Sequence, residues 1–130
     1  MKKNGFTLVE IIVVMSVIGI LVAIIVPSYK HHVARAREAV LRENLFQIRD
    51  AISKFYQDKN KYPTALEDLI TFKYLRTIPT DPVAKTAVWE LIYFEPQENE
   101  DYDPEIAEGI IDVRSTAEGS TIDGTPYKDL

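Results

Sequence analysis

Apolar and polar residues follow two different patterns along this chain. From Ile11 to Val26 it reads IIVVMSVIGILVAIIV, interrupted only by Ser16 and Gly19, and the run extends back to Phe6. As a helix, the 21 residues from Phe6 to Val26 measure roughly 31 Å at about 1.5 Å per residue, matching a bilayer core of about 30 Å. Pro27 closes this run. From Ser28 to Gln57 there is no Gly or Pro, and Leu41, Leu45, Ile48, Ile52 and Phe55 step by four, three, four and three. That period draws one apolar stripe along a helix, with the intervening charges read as a solvated face. The pattern predicts a single rod of about 50 residues, roughly 75 Å long, broken only at Pro27.

Beyond the rod the signals are shorter. KNKYPT at 59–64 ends the long helix at its first proline, and Thr64 with Glu67 three residues on predicts the capping box of a short helix reaching Tyr74. IPTDP at 78–82 reads as a turn, and Val88–Phe94 (VWELIYF) as a strand. Residues 97–108 hold six acidic residues and Pro104, a solvated loop. Ile110–Val113 is a second strand, expected to pair with the first as an antiparallel ribbon, and residues 114–130 are turn-rich. The helix stripe is expected to bury against Trp89, Ile92 and Ile111 of that ribbon. The predicted fold class is α+β.

Composition narrows the chemistry. The 130 residues are 46% apolar and suit one domain, and the absence of cysteine excludes disulfides and Cys-based metal or redox centres. His31 and His32 are sequence neighbours and on a helix do not face one another. Residues 1–61 carry ten Lys/Arg against five Asp/Glu, and residues 62–130 five against fifteen, so a +5 half precedes a −10 half. The acidic half argues against nucleic acid as a partner. No Ser/His/Asp set, phosphate-binding Gly loop or His cluster marks an enzyme.

The N-terminus carries the most specific pattern. No A-x-A site follows the apolar run, as a cleaved secretory signal would require. Glu10 instead lies within the apolar segment, where a carboxylate is costly and points to function, the plainer reading being a side chain that snorkels to the interface. Lys2 and Lys3, then Gly5-Phe6-Thr7-Leu8-Val9-Glu10 and the apolar run, resemble the leader of type IV pilins and type II secretion pseudopilins. The resemblance implies cleavage after Gly5 by a prepilin peptidase, N-methylation at Phe6, and helix loosening at Gly19 and Pro27. The new Phe6 amine of one subunit would meet Glu10 of its neighbour and set filament register. The implied organisation is a leader at 1–5, a transmembrane and filament-core helix at 6–27, and a periplasmic head at 28–130 with its amphipathic helix at 28–57.

The C-terminal half resembles the major (G-type) pseudopilin more than the type IVa pilins, which usually close their last loop with a disulfide. Tyr62-Pro63, Asp81-Pro82 and a tail with Ser115, Glu118-Gly119 and Asp123-Gly124-Thr125-Pro126-Tyr127 carry that similarity. It implies a calcium loop with Ser115 and Asp123 as ligands and Glu118 and Asp129 as further candidates. Read from the residues alone, the same tail is a turn-rich stretch held by Asx-turns and Tyr127 packing. The function implied is a structural subunit of a type II secretion pseudopilus, anchored in the bacterial inner membrane with its N-terminus cytoplasmic. It would polymerise with identical copies and minor pseudopilins through an assembly platform and its ATPase, pushing exported proteins through the outer membrane. The alternatives are a type IV pilin for adhesion or motility, and a membrane-tethered periplasmic binding module.

Overall fold

The structure, a computed structural model, describes residues 1, 5–95 and 109–130, with the backbone alone at Ser28. The acidic loop expected at 97–108 and the lysines at 2 and 3 lie outside the described residues. In chain order the elements are α1 (Leu8–Lys59), α2 (Leu66–Thr71), β1 (Glu90–Tyr93), β2 (Ile110–Arg114) and a 3-10 turn at Tyr127–Asp129. Two compact units divide the chain, Met1–Ala34 and Arg35–Leu130.

The first unit is helical from Leu8 and exposes every residue from Phe6 to Pro27. Among the described residues this is the one helix long and apolar enough to cross a membrane. Its polar interruption is satisfied internally, since Ser16 Oγ donates to the Ile12 carbonyl at 2.7 Å. The helix runs on through Pro27, which lies inside α1, so the break expected there does not end it.

The second unit is built on the remainder of α1. Leu41, Leu45, Ile48, Ile52 and Phe55 are all buried, as their spacing requires, and Ala51 joins them. Asn60, at φ 55°, ends the helix in the left-handed conformation, and its amide still donates to the Tyr56 carbonyl at 2.8 Å. The stop therefore precedes Pro63.

α2 begins at Leu66, one residue later than a cap at Thr64 implies. The carboxylate that reaches back is Asp68, not Glu67: its Oδ2 accepts from the Thr64 and Ala65 amides at 3.0 and 3.1 Å. The helix also stops short of Tyr74, because Lys73 turns left-handed at φ 65°. Phe72 and Tyr74 then meet the Phe55 ring edge-on, each with centroids 5.5 Å away.

β1 and β2 form the expected antiparallel pair, but it turns a different face inward. Leu91 is opposite Val113 and Ile92 opposite Asp112, whereas Tyr93 is opposite Ile110, which leaves Ile111 as an extra residue. This bulge lets Ile110 and Val113, three residues apart, both point into the core. Ile111, expected inside, is 36% exposed, and Ile92 is only half-buried. Of the three ribbon residues expected in the core, Trp89 alone is there, its indole donating to the Pro79 carbonyl at 3.0 Å.

Gly109 shows how tightly β2 enters this unit. It is buried, and a Cβ there would overlap the Tyr62 Cβ and lie 2.9 Å from the Tyr62 Cα. The neighbouring backbone is tied on both sides, Phe94 N–H to the Gly109 carbonyl and Ile110 N–H to the Pro63 carbonyl. Gly109→Ala is expected to cost about 1–3 kcal/mol by overpacking, read as a lower melting temperature. Gly19→Ala, where nothing among the described residues lies within 4 Å, serves as the comparison without overpacking and is expected not to lower the melting temperature.

Candidate functional site

At the N-terminus, Gly5, Phe6 and Thr7 precede the first helical residue. Phe6 is 78% exposed, and among the described residues beyond its chain neighbours no atom lies within 4 Å of a Cβ built on Gly5. The Gly5–Phe6 bond thus sits in open, non-helical backbone. Thr7 is the N-cap: the Glu10 amide donates to Thr7 Oγ1 at 3.3 Å and to the Thr7 carbonyl at 3.1 Å. Glu10 is the third residue of α1, the position at which the helix dipole favours a carboxylate. The T-x-x-E spacing of Thr7 and Glu10 is the sequence signal for this cap.

In the tail the residues expected to act together differ in burial. Ser115 is 2% exposed; its Oγ donates to Asp81 Oδ2 and accepts from the Ala117 amide at 3.0 Å. Asp81 is fully buried, and its Oδ1 accepts from the Val83 and Ala84 amides at 2.7 and 2.9 Å. The Asp81-Pro82 turn is thus an Asx-type turn whose side chain also holds the tail. Asp123, Glu118 and Asp129 are exposed. Among the described residues no group of three or more His, Cys, Asp or Glu could hold a metal ion.

Two charged residues of α1 reach the tail, and neither stood out in the sequence. Glu38 is 4% exposed, and its Oε1 accepts from the Ile122 amide at 2.8 Å and, at a long 3.5 Å, from the Tyr127 hydroxyl. It lies three residues before Leu41, so extending the stripe backwards reaches it. Arg49 donates through Nε to Asp112 Oδ1 at 2.6 Å and through Nη2 to the Val113 and Leu130 carbonyls at 3.0 and 2.8 Å. Burial, then the neighbouring Glu38 and Asp81, raise the Tyr127 phenol above its ordinary pKa. Burial and adjacent Tyr56, whose ring stacks on Tyr62 at 4.4 Å, do the same for Tyr62.

Comparison with known proteins places these features. The family model for the prokaryotic N-terminal methylation motif matches residues 1–26. The fimbrial protein EcpC of Eikenella corrodens is 38% identical over 61 residues, 47% of this chain and 40% of that protein. The type IV major pilin protein PilA of Myxococcus xanthus is 34% identical over 61 residues, 47% of this chain and 28% of the pilin. The type II secretion system core protein G of Escherichia coli K12 is 30% identical over 78 residues, 60% of this chain and 54% of that protein. The chain therefore spans about half or less of the length of these relatives. No solved structure matches it. With its methylation motif at residues 1–26, long N-terminal helix and small antiparallel sheet, the chain is similar to type IV pilin-like proteins, pilins and type II secretion core protein G alike.

Proposed function

We propose that this chain is the structural subunit of a type II secretion pseudopilus. The observation that supports the choice is the length of the match to core protein G, 78 residues against 61 for the two fimbrial relatives. In this reading residues 1–5 are a leader, 6–27 the membrane and filament-core helix, and 28–130 the periplasmic head. Prepilin peptidase cleaves after Gly5, and the Phe6 amine is methylated. Within the filament that amine pairs with Glu10 of a neighbour, a charge pair that suits an apolar core and fixes axial register. Gly19 and Pro27 loosen the helix as subunits leave the inner membrane through the assembly platform driven by its ATPase. Identical copies and minor pseudopilins are the partners, and the subunit is a building block, not an enzyme.

A pilin for adhesion or motility is the second reading, favoured by the higher identities to fimbrial proteins. Deletion in the source bacterium separates the two. Loss of protein secretion with surface pili intact supports the pseudopilus, and loss of surface pili with secretion intact supports the pilus. Processing is tested apart from either. Mass spectrometry of the native protein is expected to find methyl-Phe6 at the N-terminus, and retention of Met1–Gly5 beside an active peptidase would refute the leader. The open backbone at Gly5–Phe6 favours such cleavage.

A further inference from the structure

The C-terminal tail is tied to α1 at two points, and both ties are direct. Glu38 and Arg49 are 11 residues apart, so at 3.6 residues per turn they lie about 20° apart on one helix face and roughly 16 Å apart along it. Glu38 takes the Ile122 amide, and Arg49 takes the Val113 and Leu130 carbonyls together with the Asp112 carboxylate. A carboxylate receiving a backbone N–H and a guanidinium fork spanning several acceptors are both charge-assisted bonds, stronger than neutral ones. Two such points fix the tail in position and in direction.

The residues of this tail do not fit the calcium ion that the resemblance implies. A hard cation needs several free oxygen donors gathered around it. The Ser115 hydroxyl is committed to Asp81 and to the Ala117 amide, and both Asp81 oxygens are already occupied. Asp123, Glu118 and Asp129 are exposed, and among the described residues no group of three or more His, Cys, Asp or Glu is placed to hold a metal ion. We propose that Glu38 and Arg49 do for this tail what a divalent cation would otherwise do, and that the head keeps its fold without calcium. This holds for a pseudopilus and a pilus subunit alike, so its test uses unassembled protein.

The test follows the full chain in detergent micelles, reading melting through Trp89 fluorescence and amide exchange by NMR. Millimolar calcium and a chelator are both expected to leave the wild-type melting temperature unchanged. Glu38→Ala is expected to lower it and to speed exchange of the Ile122 amide by about tenfold or more, with no rescue by calcium. Glu38→Gln, which keeps an acceptor oxygen, is expected to retain part of that protection. Arg49→Lys, which keeps the charge but loses the fork, is expected to melt below wild type. A wild-type melting temperature raised several degrees by calcium and lowered by the chelator would overturn the proposal. So would Ile122 protection that is unchanged in both Glu38 variants. If Glu38→Ala does not fold, Glu38→Gln and the wild-type calcium titration still decide.

Discussion

Glu10→Ala is expected to abolish filament formation while leaving membrane insertion intact. Removing a carboxylate from an apolar segment lowers the cost of insertion, and Thr7 still caps the helix through the residue-10 amide. In the proposed filament, however, the methylated Phe6 amine of each neighbour would be left as an unpaired buried charge. Breaking a buried pair this way costs about 3–5 kcal/mol, repeated at every subunit added. If Glu10 served only the helix dipole at its own N-terminus, the loss would be about 0.3–1 kcal/mol and assembly would continue. Electron microscopy of filaments, with membrane fractionation alongside, tells these apart. A wild-type filament yield from the variant would refute the register role.

Ile48→Ala is expected to remove about 2–5 kcal/mol from the stability of the second unit. Ile48 is fully buried at the middle of the stripe, between Leu45 and Ile52, so truncation leaves a cavity rather than exposed surface. Against a total of about 5–15 kcal/mol for a small domain, that is enough to lower the denaturation midpoint substantially. Ile111→Ala is the paired measurement, because Ile111 is 36% exposed and its truncation should cost well under half as much. Equal losses at the two positions would contradict the inward face assigned to β2.

What the sequence disclosed and what it hid follow from physical causes. The α1 stripe was legible because a helix repeats its period without exception, and every position from Leu41 to Phe55 in that series is buried. The inner face of the ribbon was not, because strand alternation assumes an unbroken ladder and one surplus residue reverses it. Glu38 was hidden by its chemistry. A charge on a helix is ordinarily solvated, and only a distant backbone amide at Ile122 makes its burial tolerable. Asp81 belongs to the turn its sequence context predicts, but its second carboxylate oxygen serves Ser115, 34 residues away. The N-terminal motif was readable because its residues act through local order, and the tail was less so because its partners come from other parts of the chain.

The surplus residue in β2 also bears on how this chain tolerates change in length. Ile110 and Val113 both face inward only because Ile111 stands outside the pairing. Substituting Ile111 keeps the bulge, whereas deleting it would bring Ile110 and Val113 two residues apart, where strict alternation still puts both on the inner face. A related sequence aligned with a one-residue gap between these two positions would therefore keep the same inward pair on an unbroken ladder, whereas a two-residue gap would put them on opposite faces. Alignment gaps at this strand can thus be judged by whether side-chain parity is kept, a stricter criterion than residue similarity.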